Sequence, residues 1–243
     1  MKWIERIRLV YRAGKYQNKN DKGGIAYLLS AINEGDTVLD IGAHKGGYLY
    51  FIIQKAGRTG KIFAFEPQSA LYQYLIKLKS LFNWSQVTIE HLALSDQAGT
   101  VNLYIPSDKK GKSSSPGASI LKLEYPGGIG STEEVATETL DYYCNRYKIK
   151  PAFLKIDVEG NELRILQGGI NTLRECKPKI LVEIEARHVG REQVLETIAF
   201  LLNLEYRGFF IQDANRLPVE SFDFELHQNP NSGGKYCNNF IFE

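Results

Sequence analysis

The sequence predicts an α/β fold, a doubly wound and mostly parallel sheet with an antiparallel strand at its edge. Three observations carry this expectation. Short apolar runs alternate with longer segments whose apolar residues fall at helical spacing. Glycines open the helices that follow two of those runs, at Gly42 with Gly46 and at Gly160. The last two runs, Tyr206 to Ile211 and Asn238 to Phe242, follow one another without a helix between them, which suggests antiparallel pairing. Strands alternating with helices pair in parallel through right-handed crossovers and leave ligand sites at their carboxyl ends.

The elements follow in order. Met1 to Tyr16 interleaves Lys2, Arg6, Arg8, Arg12 and Lys15 with Trp3, Ile4, Ile7, Val10 and Tyr11. The spacing of Trp3, Ile7, Val10 and Tyr11 predicts an amphipathic helix that packs on the domain, with a basic face suited to peripheral contact with an anionic membrane. It has no uninterrupted apolar stretch of the kind a signal peptide carries. Gly24 to Ile32 predicts a second helix ended by a turn at Asn33 to Asp36, so residues 1–34 are read as a helical segment packed on a single domain at 35–243. The domain opens with strand Thr37 to Ile41, helix Gly46 to Gln54, strand Lys61 to Phe65 and helix Ser69 to Phe82. It continues through strands Val87 to Leu92 and Thr100 to Ile105, a short strand around Val135 and helix Leu140 to Tyr147. Strand Ala152 to Ile156, helix Asn161 to Arg174, strand Ile180 to Ile184 and helix Gln193 to Leu202 precede the closing pair. Pro106 to Ser131 is too long for a tight connection and is read as a candidate lid.

Composition narrows the function. With 30 Lys plus Arg against 28 Asp plus Glu, the net charge of +2 gives no broad basic surface for nucleic acid. The three cysteines, Cys144, Cys176 and Cys237, lack metal-ligand spacing and are read as reduced thiols of a cytoplasmic protein. No run approaches the ~18 apolar residues that a membrane span needs.

Four sites carry chemistry. The first is Asp40-Ile41-Gly42-Ala43-His44-Lys45-Gly46, a strand running into glycines that open a helix. A dinucleotide loop needs the tighter G-x-G-x-x-G spacing to seat a pyrophosphate. The looser D-x-G-x-x-x-G, acidic at its start, suits an adenosyl ligand whose far end is a cationic amine and sulfonium, with Asp40 taking the amine. The second is Phe65-Glu66-Pro67, where Glu66 follows Asp40 by 26 residues and is placed to accept both hydroxyls of a ribose. The third is Leu94-Ser95-Asp96, with Leu94 packing on adenine and Asp96 accepting from its amino group. The fourth is Lys155-Ile156-Asp157-Val158-Glu159-Gly160-Asn161-Glu162, two carboxylates delivered into a glycine turn before a helix. Helix capping is the competing explanation for Asp157 and Glu159.

Together these motifs resemble the FkbM-type methyltransferases, a branch of the class I group that uses S-adenosylmethionine (SAM). The resemblance rests on Asp40-Ile41-Gly42-Ala43 with Gly46, Phe65-Glu66-Pro67, Ala93-Leu94-Ser95-Asp96 and Gly117-Ala118-Ser119-Ile120-Leu121. Thr139-Leu140-Asp141 and Lys155 to Gly160 with Glu162 complete it, and the set covers about residues 35 to 243. It implies a seven-stranded Rossmann-like sheet, SAM as donor with S-adenosylhomocysteine as product, and O-methylation of sugars, lipid-linked glycans or polyketide hydroxyls. The cofactor set then comprises Asp40, Gly42, His44, Gly46, Glu66, Pro67, Leu94, Ser95 and Asp96. The chain departs from the family at His44, where asparagine is common, and at Asn161, where His or Phe is frequent.

Methyl transfer is an in-line displacement, so positioning supplies most of the catalysis. An alcohol has a pKa near that of water, about 15.7, and a base that takes its proton assists. Asp157 is the first candidate, with His188 and Glu159 beside it. Asp157, Glu159, Glu183 and Glu185 would offer oxygen ligands to Mg²⁺ if they converged, although no metal is expected. The partner expected is a small-molecule or glycan acceptor, not nucleic acid. Lys109, Lys110 and Lys112 in the long loop hint at an anionic one, against the ordinary reading of a solvated charge run. The rival readings are an NAD(P)-dependent oxidoreductase on the same sheet, which would lack its phosphate loop, and a nucleic-acid or protein methyltransferase. A nucleic-acid N-methyltransferase would want Asn/Asp-Pro-Pro-aromatic where this chain has Asp157 to Gly160.

Overall fold

The computed structural model describes residues 2–107, 117–122, 128–229, 231 and 235–243. In chain order the elements are α1 (Lys2–Lys15), a π-helical turn (Tyr16–Asn20), α2 (Lys22–Ala31), β1 (Thr37–Ile41), α3 (Gly47–Ala56), β2 (Lys61–Phe65), α4 (Ser69–Phe82), β3 (Val87–Glu90), β4 (Ala93–Ser95), β5 (Gly99–Pro106) and β6 (Ile129–Thr139). They continue with α5 (Leu140–Tyr147), β7 (Phe153–Ile156), α6 (Glu162–Gln167), α7 (Ile170–Cys176), β8 (Lys179–Glu183), α8 (Ala186–Asn203), β9 (Gly208–Gln212), β10 (Asn215–Pro218), α9 (Phe224–His227) and β11 (Asn239–Phe242).

The main sheet is mostly parallel and runs β10-β9-β11-β8-β7-β1-β2-β3. Side chains alternate across it with period two. Val38, Ile62 and Phe153 therefore join Ile25, Leu28, Leu49, Ile52 and Leu75 from α2, α3 and α4 in one core. Leu39, Leu154, Ile156 and Val182 point the other way, into a second core with Leu166, Val194 and Leu201 from α6 and α8. Apolar burial on both faces is what makes the sheet doubly wound.

Several elements differ from expectation. The run Val87 to Leu92 ends its main-sheet pairing at Glu90, and β4, three residues on, joins a second sheet of order β4-β6-β5. The short strand expected around Val135 is the 11-residue β6, antiparallel to β5. The helix expected from Asn161 to Arg174 is two helices, α6 and α7, separated at Gly168 and Gly169. The closing strand β11 is interior, antiparallel to both β8 and β9, because its Phe240, Ile241 and Phe242 are all buried. The edge is β10, an antiparallel partner of β9, so the sheet has eight strands where seven were expected.

The N-terminal helix also turns differently. Leu9 and Ala13 are the residues of α1 buried in the core, and Trp3, Ile4, Ile7, Val10 and Tyr11 face outward. Arg12 secures the underside by donating to the Lys45 carbonyl at 2.8 Å and lying over the Tyr74 ring. Among the described residues no helix is long and apolar enough to cross a membrane.

Candidate active site

A cleft of about 320 Å³ opens at the carboxyl ends of β1, β2 and β7, within the size range of small-molecule sites. Gly42, at the end of β1, adopts φ 83°, and a Cβ there would stand 1.9 Å from the Asp157 carbonyl oxygen. Only glycine lets the two strand ends come that close. The N–H groups of Gly42 and Ala43 both donate to the Phe65 carbonyl at 3.0 Å. They are therefore spent within the protein and not aimed at a phosphate.

The same turn organises Glu66. The His44 N–H donates to its Oε2 at 2.7 Å, and the Gln68 N–H donates to Oε1 at 2.9 Å. Burial pushes the Glu66 carboxyl up to about 7 against those two hydrogen bonds, which favour its ionised form. Burial pushes His44 down to about 4, leaving its ring neutral near pH 7. The wall beside Glu66 is apolar, formed by Phe65, Leu92, Leu94 and Leu103 with Ala118 and Ile120.

Of the expected cofactor residues, Gly42, His44, Glu66, Pro67 and Leu94 line the cleft. Asp40, Gly46, Ser95 and Asp96 do not, and each has a physical reason. Asp40 lies on the core side of β1, fully buried, with Lys155 opposite it in register and their charged atoms 3.8 Å apart. It is the counter-charge of Lys155 and does not line the cleft. Gly46 caps α3 at φ 75° and packs toward Leu75 and Leu9. Ser95 is buried and donates to Asp96 at 3.0 Å, and Asp96 points toward Arg164.

The fourth motif is at the cleft, with a different division of labour. Lys155 Nζ donates to Asp157 Oδ2 at 3.1 Å and to the Gly42 carbonyl at 3.2 Å, and lies over the Tyr48 ring. Burial opposes its charge, yet Asp157 and Asp40 outweigh burial and hold the ammonium above the usual lysine value. Glu159 lines the cleft with φ 57°, and burial with the nearby Asp157 charge pushes its carboxyl up to about 7. His188, off the cleft wall, stands behind it with Nε2 3.2 Å from Glu159 Oε2. Glu162, the first residue of α6, is buried and accepts from the Gly160 N–H at 2.9 Å.

Glu183 lines the cleft, but its carboxylate and that of Glu185 both accept from Asn238 Nδ2, at 2.6 and 2.9 Å. Glu185 also accepts from Tyr236 and Arg187. Among the described residues no group of three His, Cys, Asp or Glu side chains is arranged to hold a metal ion. In the long loop, Gly117, Ala118 and Ile120 line the cleft, and Ser119 donates to the Glu159 carbonyl at 2.7 Å. Residues 108–116 and 123–127 of the candidate lid, with Lys109, Lys110 and Lys112, lie outside the described residues.

Sequence reasoning missed four contributors. Tyr16 and Asp21 reach the cleft from the N-terminal segment, where no local motif marks them. Asn161 was visible only as a departure from the family, yet its Nδ2 donates to the Leu94 carbonyl at 2.9 Å and its buried Oδ1 has no partner. Tyr48 Oη is likewise a buried atom on the wall without a hydrogen bond.

A doubly wound sheet with an antiparallel strand inserted near one end, an acidic residue closing its second strand and a cleft above both defines a Rossmann-like class I methyltransferase fold. Comparison with known proteins agrees: the methyltransferase FkbM domain matches residues 40–210, and the chain belongs to that family of methyl-transfer enzymes. The chain is 24% identical over 186 residues to the hexuronic acid methyltransferase AglP of Haloferax volcanii, covering 75% of this chain and 69% of that protein. Its fold is similar to a methyltransferase FkbM from Methylobacillus flagellatus (TM-score 0.55, 15% identity), covering 98% of this chain and 55% of that one. It is also similar to a putative rRNA methylase from Clostridium thermocellum (TM-score 0.51, 15% identity), covering 90% and 92% respectively. The chain thus spans about half of the crystallised FkbM protein.

Proposed function

We propose that this protein is a SAM-dependent O-methyltransferase acting on a hydroxyl of a sugar, glycan or natural-product small molecule. One observation carries the cofactor. Glu66 presents a carboxylate oriented by two main-chain N–H groups at the edge of an apolar slot, the arrangement that accepts the paired hydroxyls of a ribose while a base packs beside it. The unpartnered Asn161 Oδ1 fits an exocyclic amine, taking the part expected of Asp96. Asp21, whose Oδ1 accepts from the Gly24 N–H at 2.9 Å, fits the cationic amino-acid end in place of Asp40. The Gly42 and Ala43 N–H groups, both spent on Phe65, disfavour the oxidoreductase reading.

When bound, SAM supplies an electrophilic methyl group on a sulfonium. The chain's own groups hold the acceptor and receive its proton. Glu159 is tuned to about 7, near the working pH that a general base needs, and His188 holds it from behind. Asp157, held by Lys155 at 3.1 Å, is suited to anchoring a second hydroxyl. Asp157, Glu159 and Glu183 on the lining offer oxygen acceptors to the hydroxyl groups of a sugar. The hexuronic acid named for the Haloferax relative supports a sugar acceptor.

Calorimetry with SAM, S-adenosylhomocysteine and NAD tests the cofactor. Glu66→Ala weakens SAM binding by about 1 to 3 kcal/mol, the scale of lost charge-assisted hydrogen bonds, and unchanged affinity removes Glu66 from the ribose role. A labelled-methyl assay over sugars, nucleotide sugars and lipid-linked glycans tests the acceptor. Glu159→Gln lowers kcat by about 10² to 10⁴ with SAM affinity retained. A larger loss in Asp157→Asn returns the base to Asp157.

A further inference from the structure

The cleft leaves the outward face of α1 unexplained. Trp3 and Tyr11 are 76% and 75% exposed, and Ile4, Ile7 and Val10 are also exposed. At the helical repeat these five side chains fall within an arc of about 120°, the width of a face that ordinarily packs against something. The opposite side of the helix is already occupied, because Leu9 and Ala13 are buried in the core and α1 lies against α3 and α4.

Charge says what fits that face. The first 22 residues carry seven Lys and Arg against Glu5 and Asp21, whereas the whole chain carries only +2, so the other 221 residues are net −3. Arg8 and Lys15 flank the apolar arc on one border and Arg6 on the other, all exposed. Arg6 is turned along the protein surface, donating to the Leu81 carbonyl at 2.6 Å and lying over the Phe82 ring. Ile76 of α4 adds a further exposed apolar side chain on an element packed against α1. A convex apolar stripe with an aromatic residue near each end and cations on its borders suits the headgroup boundary of a bilayer. Two copies paired through this stripe would set like charges against each other.

We infer that α1 is a docking surface for an anionic lipid bilayer, with Trp3, Ile4, Ile7, Val10 and Tyr11 entering the headgroup region and Arg8 and Lys15 meeting the lipid phosphates. The helix leads directly into Tyr16, which stands on the cleft wall, so the docking face and the cleft are joined by contiguous chain. The inference does not depend on the methyl acceptor.

The test is co-sedimentation of the full chain with vesicles of phosphatidylcholine alone and with about 30% phosphatidylglycerol, at low and high salt. The chain binds the anionic vesicles, and salt weakens the binding as screening shortens the reach of the cations. Trp3→Ser/Ile7→Ser/Tyr11→Ser and, separately, Arg8→Glu/Lys15→Glu each weaken it by about tenfold or more. These side chains are exposed, and an unchanged circular dichroism spectrum confirms the fold of each variant. Acrylamide quenching gives a readout without substitution. The two tryptophans are exposed Trp3 and buried Trp84, so vesicles shield Trp3 specifically. Failure to bind anionic vesicles, equal binding by the apolar variant, or a dimer in light scattering that this variant dissolves overturns the inference.

Discussion

Asp40 and Lys155 face each other in register on adjacent central strands, both fully enclosed, and neither Asp40 oxygen has a hydrogen-bond partner. Burial pushes Asp40 up to about 6 and Lys155 pulls it back, so the pair is ionised near neutral pH. Two charges taken out of water are costly, and removing one leaves the other uncompensated. Lys155→Met is therefore expected to lower unfolding stability by about 3 to 5 kcal/mol, and Asp40→Asn/Lys155→Met to lower it less. Urea unfolding of these two variants and of Asp40→Asn decides it. A double variant as unstable as the sum of the single ones would show that the residues do not act as a pair. Lys155 also tethers Asp157 and the Gly42 carbonyl, so its loss loosens the cleft as well as the core.

Among the elements, the break between α6 and α7 is what brings the fourth motif onto the third. Gly168 has an ordinary helical φ of −68°, so its need for glycine is spatial. A Cβ there would stand 2.2 Å from the Ser95 carbonyl oxygen and 3.1 Å from Asp96 Cα, both main-chain atoms at the end of β4. Helix propensity alone would favour alanine by about 1 kcal/mol. The clash reverses the sign, and Gly168→Ala is expected to destabilise by about 1 to 3 kcal/mol, read as a lower Tm. A neutral or raised Tm would show that α6 and β4 separate easily. The neighbouring Thr139-Leu140-Asp141 motif is structural on the same scale. Thr139 caps α5 by accepting from the Tyr142 N–H at 3.1 Å, and Asp141 accepts from the Asn171 and Thr172 N–H groups at the start of α7.

For the whole molecule, burial pushes upward the carboxyls of Glu66, Glu159 and Asp21 in the cleft and of Glu162 enclosed behind it, the glutamates to about 7 and Asp21 to about 6. A carboxyl raised above its unfolded value binds more protons in the folded state, so its contribution is present at low pH and lost as pH rises through the folded pKa. His44 and His188 are lowered by burial and act oppositely, chiefly below about 6.5. Between pH 8 and 6.5 the carboxyls dominate, and the histidines, which begin to protonate in the unfolded chain over that range, offset part of the gain. The ligand-free protein is expected to gain about 1 to 2 kcal/mol of stability over that fall, the sum for three glutamates less the share of the two histidines. Below it the histidines flatten the trend. Thermal unfolding across pH 5.5 to 8 checks this, and a Tm that falls steadily from pH 8 to 6.5 would contradict it.

The sequence by itself determined the α/β class, the order of its central elements and the carboxylate at the end of the second strand. These follow from local chemistry: apolar period, turn glycines and an acidic residue where a strand stops. Glu66 was legible for that reason. The tertiary structure alone decided that Asp40 faces the core, because that depends on which side of β1 α3 covers and on the register that sets Lys155 opposite. It likewise decided that Tyr16 and Asp21 join the cleft from outside the motifs, that β11 runs inside the sheet, and that α1 presents Trp3 outward while Leu9 packs inward. Periodicity marks which residues share a face, but which face is buried depends on the neighbours the fold brings, and those lie far away in sequence.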